Sequence, residues 1–121
     1  MHRVQISGTG LFTPSESISN AELVDSYNKF VDEYNTKHQK EIENGSIQPL
    51  EKSSVEFIEK ASGVKSRFVQ NKSGILDTSF MRPKLRERSE EELSNLAEMG
   101  VAAAKEAIEN SGINIADLGA V

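Results

Sequence analysis

Apolar residues recur at the three- and four-residue spacing of one helical face in three stretches of the chain. Each stretch follows a serine with a glutamate three residues later, the pattern of a capping box. A glycine follows each stretch, where a left-handed residue ends a helix without a Cβ clash. The pattern therefore predicts helices over residues 20–43, 54–62 and 90–111, with capping boxes at Ser19, Ser53 and Ser89.

Two shorter stretches alternate apolar and polar residues, which is typical of half-buried strands. One is the opening segment, where Val4 and Ile6 lie on the same face of the predicted strand. The other covers residues 66–70 and places Arg67 on the opposite face from Phe68. The chain is thus expected to be of the α/β class and rich in helix.

Gly8 and Gly10 follow the opening strand, and a glycine-rich turn after a strand can bind phosphate. A dinucleotide-binding loop has its third glycine where this chain has Thr13. The two glycines therefore favour a strand exit at which another part of the backbone approaches closely.

Residues 71–88 follow neither period, so we expect a long loop there. The apolar residues of this segment need a surface to cover: Ile75, Leu76, Phe80 and Met81. Its basic residues could meet phosphate, but pairing with nearby acidic side chains is the favoured interpretation: Arg82, Lys84, Arg86 and Arg88.

Composition places the 121 residues among single globular domains, with 36% apolar and 27% charged residues. A net charge of −5 argues against a nucleic-acid partner. The chain has no cysteine, which excludes disulfides, thiolate metal sites and a cysteine nucleophile within it, and no metal site is predicted. No signal peptide or membrane-spanning stretch is evident, so we expect a cytoplasmic protein with no membrane partner.

The short predicted helix carries the clearest candidate site. Phe57 offers an aromatic ring beside Lys60, and Lys65 and Arg67 follow just beyond the helix. A ring, hydroxyl groups and cations in this order suit a flat, phosphorylated ligand. The alternative is that Phe57 is a core residue.

Three segments resemble one known family. The opening segment I-S-G-T-G-L-F-T-P, the central segment F-I-E-K-A-S-G-V-K-S-R-F-V and the final segment E-M-G-V-A-A-A-K-E-A-I-E-N-S-G-I appear in the family's order. They are similar to the N-terminal part of the β-ketoacyl-acyl carrier protein synthases III, of the thiolase-like superfamily. The central motif is the most specific of the three.

The resemblance implies a five-layered α-β-α-β-α fold of two similar halves, of which residues 1–121 would be the N-terminal portion of the first half, truncated before the catalytic region. It also implies a homodimeric acyltransferase of fatty acid biosynthesis that joins an acyl-CoA primer to malonyl-acyl carrier protein with loss of CO₂. No cofactor would be tightly bound, since acyl-CoA is the substrate. The catalytic cysteine, histidine and asparagine would lie beyond Val121, so the chain alone is expected to be inactive.

The resemblance also assigns part of a CoA-binding surface to this chain. The family's adenine-stacking tryptophan falls on Phe57, and hydroxyl groups fall on Ser53 and Ser62. The family's phosphate-binding arginine falls on Ala61, where Lys60 or Lys65 could substitute as point charges. These departures, together with extra residues at 35–52 and 71–88, imply an unusual primer, for which a longer or a medium-chain acyl group is one interpretation.

Two other functions stay open at this point. A specialised-metabolite ketosynthase would share the fold and the motifs. A non-enzymatic interaction module would instead use the apolar stripe from Leu23 to Ile42 to bind a partner helix. A complete module would be monomeric and unfold cooperatively, whereas part of an enzyme would expose apolar surface.

Overall fold

A computed structural model describes residues 5–118, which fall into two compact units. The first unit comprises residues 14–85, and the second combines the described residues before 14 with those after 85. The first contains β1 (Glu16–Ser19), α1 (Asn20–Lys37), α2 (Gln39–Glu43), α3 (Val55–Ser62), β2 (Ser66–Val69) and α4 (Lys72–Leu76). The second contains α5 (Asn95–Ser111) and a 3₁₀ turn at Ile115–Asp117. The predicted mixture of helix and strand, rich in helix, is confirmed.

Helix α1 begins where the sequence predicts. The Ser19 hydroxyl accepts a hydrogen bond from the Glu22 N–H at 3.3 Å, and the Glu22 carboxylate accepts one from the Ser19 N–H at 3.0 Å. The capping box is therefore complete and satisfies two backbone donors at the helix start. The predicted single helix is nevertheless two, because His38 leaves helical geometry with φ −104° and ψ 21° between α1 and α2.

The two strands form an antiparallel sheet in which Ile18 lies opposite Arg67. Strand β2 confirms the prediction for residues 66–70, except that it ends at Val69. The predicted opening strand is wrong where it can be judged, since residues 5–7 form no strand, while Val4 lies outside the described residues. The true first strand is Glu16–Ser19, whose bonding partners lie about 50 positions away. Four residues with one buried apolar side chain carry too little alternation to be recognised.

The core of the first unit is small and lies under α1. Ile18, Val24 and Val31 are its buried hydrophobic residues, and Asn20 is buried beside them. Asn28 and Asn35 follow on the same helical face at spacings of eight and seven residues. This face of α1 therefore alternates apolar packing with amide side chains that need partners.

Each of these amides finds its partners on the backbone of a distant segment. The Asn28 side chain accepts from the Ser53 N–H at 2.9 Å and donates to the Ser53 carbonyl at 3.0 Å. Asn35 does the same with both backbone groups of Leu50, each at 2.9 Å. Asn20 donates to the Val64 carbonyl at 2.6 Å. Helix α1 thus holds both ends of the chain that contains α3.

Helix α3 begins one residue later than predicted. Its cap is Ser54, whose hydroxyl accepts from the Phe57 N–H at 3.1 Å, so the capping box at Ser53 is wrong. Ser53 cannot complete a capping box, because both of its backbone groups, including the N–H that the box requires, are already bonded to the Asn28 side chain. The predicted glycine stop is confirmed at Gly63, which has φ 69°.

The segment 71–88 is not wholly irregular, because it contains α4. The Asn71 side chain accepts from the Gly74 N–H at 3.0 Å and so caps this one-turn helix. The same oxygen accepts from the Lys84 N–H at 2.8 Å, which ties the end of the segment to its start. Lys84 also pairs with Asp77 at 2.7 Å, as the favoured interpretation of the basic residues predicts.

In the second unit, α5 begins at Asn95 with Ser94 as its cap, five residues after the predicted start. Glu92 does bond the Ser89 N–H at 3.0 Å, yet no helix follows it. Glu92 also pairs with Arg86, and Glu98 pairs with Arg88. The predicted end of the helix is confirmed at Gly112, which has φ 65°.

The predicted close approach at Gly8 and Gly10 is confirmed. A Cβ added at Gly10 would overlap backbone atoms of Ala103 and Ala107, and one added at Gly8 would overlap those of Ala107 and Ser111. The Leu11 N–H donates to the Glu106 carboxylate at 2.7 Å beside this contact. Gly100 of α5 takes no part in this contact, since an added Cβ there meets nothing within 4 Å.

The Asn28 side chain makes two hydrogen bonds to the backbone of Ser53, and we call this pair of bonds the clamp. It predicts a large effect of Asn28→Ala on stability. The substitution leaves two part-buried backbone groups without partners, so we expect the free energy of unfolding to fall by about 2 kcal/mol. Thr36→Ala, at an exposed position of the same helix, is the matched control and should change it little. Equilibrium urea unfolding measures both, and equal effects would refute the clamp.

The glycine contact predicts opposite outcomes for two identical substitutions. Gly10→Ala forces backbone apart and should destabilise the chain by about 1–3 kcal/mol. Gly100→Ala lies in open space within α5 and should stabilise it by about 0.5–1 kcal/mol through helix propensity. Thermal melts of both variants test the contact, which would be contradicted if Gly10→Ala melted at or above the parent temperature.

The capping box predicts a specific loss of stability in acid. Hydrogen bonds from Lys72 and from Ser19 lower the pKa of Glu22 from 4.5 to about 2. Because the folded pKa is depressed, the stabilisation is present above pH 4.5 and is lost as the pH falls towards 2. Glu22→Gln should flatten the pH dependence of unfolding in this window. Equilibrium unfolding followed across this pH window tests the prediction, and an unaltered slope in Glu22→Gln would contradict it.

Candidate functional site

A cleft of about 660 Å³ lies in the first unit between α1, the segment before α3, α3 itself and the region of α4. Its walls are mostly apolar side chains from these four parts, and serines and two charged residues stand at its edge. The lining residues are Leu23, Val24, Ser26, Tyr27, Glu51, Lys52, Ser53, Ser54, Phe57, Ile58, Ile75 and Met81. The volume is within the range of about 300–1,000 Å³ that small organic ligands occupy in proteins.

The shape of the cleft depends on the side-chain hydrogen bonds of Asn28 and Asn35. Asn28 and Asn35 fix Ser53 and Leu50, so the chain that leads into α3 keeps a set distance from α1. On the other side, the Ser26 hydroxyl donates to the Leu76 carbonyl at 2.9 Å and holds the end of α4. Three sequence segments are thereby fixed around one apolar space.

The five predicted site residues separate into two groups. Ser53 and Phe57 line the cleft, whereas Lys60, Ser62 and Lys65 do not. The Ser62 hydroxyl donates to the Ile58 carbonyl at 2.7 Å and accepts from the Val64 N–H, so it serves the end of α3. Lys60 and Lys65 are exposed at and beyond the last turn of the same helix.

Phe57 is not a core residue, because 66% of its surface is exposed. None of the residues of α3 is buried, so the helix presents most of its side chains outward. An exposed aromatic ring at the edge of an apolar cleft is available to stack on a planar ligand. The exposure therefore removes the alternative that Phe57 only packs inside the chain.

Arg67 does not join the exposed cations. It is half-buried on β2, and its Nη2 donates to the Asn20 side chain at 2.8 Å. Its Nη1 is buried and has no hydrogen-bond partner among the described residues. Arg67 therefore contributes to the packing around Asn20, and the exposed positive charge of this region comes from Lys60 and Lys65.

Two other charged residues near the cleft, Lys52 and Asp77, are already paired. Lys52 bonds Asp32 at 2.8 Å at the rim. Lys84 and Ser79 bond Asp77 and hold the pKa of its carboxyl well below the usual range. The described residues contain no cluster of three or more side chains suited to a metal ion. Nor does any helix in residues 5–118 have the length and apolar character needed to cross a membrane.

The sequence pattern alone did not predict the wall of the cleft that comes from the segment 71–88. Ile75 and Met81 form one wall, yet their segment was expected to be a loop. The available signal was that these residues are apolar although they lie in a predicted loop. This indicated that they cover a surface, but the sequence did not identify that surface.

Comparison with known proteins bears on the class of this site. No family model matches the chain. Over 98 residues, which are 81% of the chain, it is 52% identical to an enzyme of the ketoacyl synthase class. That relative is the beta-ketodecanoyl-acyl carrier protein synthase of Pseudomonas aeruginosa. The chain matches about 28% of the length of this relative.

An identity of 52% over most of the chain confirms the resemblance to a β-ketoacyl-acyl carrier protein synthase. The match is consistent with a chain that corresponds to the N-terminal part of such an enzyme.

Proposed function

We propose that the chain is the N-terminal portion of a condensing acyltransferase of fatty acid biosynthesis, of the type III ketoacyl synthases with the thiolase-like fold. The intact enzyme would join an acyl-CoA primer to malonyl-acyl carrier protein. The observation that carries this proposal is the 52% identity to a ketoacyl synthase over four fifths of the chain. The central motif around α3, which the sequence resemblance emphasises, supports it.

The proposed reaction requires groups that this sequence lacks. An acyl group passes from the CoA sulfur to a cysteine thiolate, and CoA leaves as the thiol. Malonyl-acyl carrier protein then loses CO₂, and the carbanion attacks the acyl thioester, which forms the new carbon–carbon bond and releases the thiolate. With no cysteine among its 121 residues, the chain can supply binding and positioning but not the nucleophile.

We assign the binding role to α3. Phe57 would lie against the adenine ring of CoA, and Lys60 and Lys65 would attract its phosphates as exposed point charges. Ser53 and Ser62 lie at the two ends of the helix, although the Ser62 hydroxyl already bonds the backbone both as a donor and as an acceptor. In this proposal Ala61 stands at the position where the family has a phosphate-binding arginine.

The proposed primer is of medium length. The relative's name describes a ten-carbon β-ketoacyl product, and a condensation with malonate adds two of those carbons. An eight-carbon acyl-CoA is therefore the primer that we propose. The proposed cytoplasmic homodimer rests on the resemblance alone, and a specialised-metabolite ketosynthase remains the second candidate within the same class.

The assignment of Phe57 is testable by CoA binding. One aromatic stack contributes about 1 kcal/mol, so Phe57→Ala should weaken CoA binding roughly five-fold in isothermal titration calorimetry. Phe68→Ala is the matched control, because Phe68 is 64% exposed and lies on β2. Ala61→Arg should strengthen binding through a charge-assisted phosphate contact.

Equal effects of the two phenylalanine variants would contradict the role of Phe57. In the intact enzyme the same contact is made in the ground state and the transition state, so Phe57→Ala should raise KM for the acyl-CoA and leave kcat nearly unchanged. A chain that binds no CoA and is instead a clean, cooperatively folding monomer would favour the interaction module.

A further inference from the structure

We infer that Met81 is a site of reversible oxidation, at which conversion of its thioether to the sulfoxide releases residues 77–85 from the cleft of the first unit. We call residues 77–85 the flap. The oxidant is a hydroperoxide, and a thiol-dependent methionine sulfoxide reductase reverses the step. Such a switch acts whatever ligand the cleft binds, and it needs no part of the proposed condensing reaction.

The polar contacts of the flap are internal to the segment 71–85. The Asp77 side chain accepts a hydrogen bond from the Lys84 ammonium group at 2.7 Å, and the Asn71 side chain accepts one from the Lys84 N–H at 2.8 Å. Among the described residues, no hydrogen bond or ion pair joins the flap to a residue outside this segment. Polar contacts therefore fold the flap, but they do not hold it against the other walls of the cleft.

Met81 supplies the contact between the flap and the cleft. It is the residue of the flap that lines the cleft, and Leu23 and Ile75 are among the other apolar lining residues. Removal of apolar surface from water stabilises the position of such a side chain. A sulfoxide is polar, so oxidation weakens this stabilisation and favours release of the flap.

The backbone at Met81 makes the flap sensitive to that loss. Among the described residues, Met81 is the non-glycine residue with positive φ, at 52°. A side chain with a Cβ disfavours this conformation, which persists only where the surrounding contacts outweigh the strain. The Met81 N–H donates to the Asp77 carbonyl at 2.8 Å, and the Arg82 N–H donates to the Gly74 carbonyl at 3.3 Å. When the side-chain contact weakens, the strain favours opening of these two hydrogen bonds.

Met81 is accessible to a peroxide. Its surface is 40% exposed, whereas Met99 of α5 is half-buried, and Met1 lies outside the described residues. Because the oxidant must reach the sulfur, exposure favours oxidation of Met81 over Met99.

The oxidation transfers one oxygen atom and two electrons. A sulfur lone pair attacks the terminal oxygen of the hydroperoxide, so that an S–O bond forms while the O–O bond breaks. The hydroperoxide proton moves to the departing oxygen, which leaves as water or an alcohol. Two thiols later return the two electrons, which gives the thioether, a disulfide and water.

The experiment treats the 121-residue chain with hydrogen peroxide and locates the oxidised methionines by peptide mass spectrometry. Amide hydrogen exchange, followed by NMR, reports on the N–H groups of Met81 and Arg82. We expect Met81 to be oxidised about three-fold faster than Met99 or more. Its oxidation should accelerate exchange of the two N–H groups about five-fold or more, and treatment with the reductase and a thiol should restore the parent rates. Equal oxidation of the two methionines, or unaltered exchange after oxidation of Met81, would overturn the inference.

Three variants separate the sulfur of Met81 from other targets of peroxide. Met81→Leu keeps an apolar side chain without sulfur, so peroxide should leave its exchange unchanged. Met99→Leu is the matched control and should keep the full response. Met81→Gln introduces a polar side chain of similar length, so the untreated variant should already show the faster exchange of the oxidised parent. A peroxide response that survives in Met81→Leu, or parent-like exchange in Met81→Gln, would refute the switch.

Discussion

The first unit depends on one kind of interaction, in which an asparagine side chain bonds both backbone groups of a distant residue. An amide presents a donor and an acceptor with the spacing of a peptide group, so Asn28 and Asn35 act like short pieces of a neighbouring strand. The hydrophobic core around Val24 and Val31 is too small to fix the chain before α3. The amides supply that order, and the start of α3 and the width of the cleft follow from it.

Helix α3 has an apolar side towards the cleft and a charged residue outside it. The side of α3 towards α1 forms a wall of the cleft through Ile58, while Lys60 stands in the last turn outside it. One short helix can thus contribute to an apolar site and to a charged site without a conflict between them. None of the residues of α3 is buried, and Val55 and Ile58 are its half-buried positions.

The sequence predicted those features that depend on neighbours in the chain. The Ser19 capping box and the glycine stops at Gly63 and Gly112 need only a few adjacent residues, and the structure has all three. Strand β1 was missed because its partners come from β2. The same serine-glutamate spacing at Ser89 forms the bond from the Ser89 N–H to the Glu92 carboxylate, but the helix begins later, with Ser94 as its cap. In the candidate site, the exposed ring of Phe57 was predicted from its motif. The cleft was not, because its walls come from segments that are distant in the sequence and are brought together by long-range hydrogen bonds.

The packing of Gly8 and Gly10 on α5 has a consequence for how the second unit can evolve. The atoms that a larger residue would strike belong to the backbone of Ala103, Ala107 and Ser111, not to their side chains. A smaller residue on α5 therefore creates no room, and glycine is already the smallest choice on the other side. Second-site suppressors of a glycine substitution cannot arise by trimming the facing helix. They would have to displace the helix axis itself, so we expect both positions to require glycine.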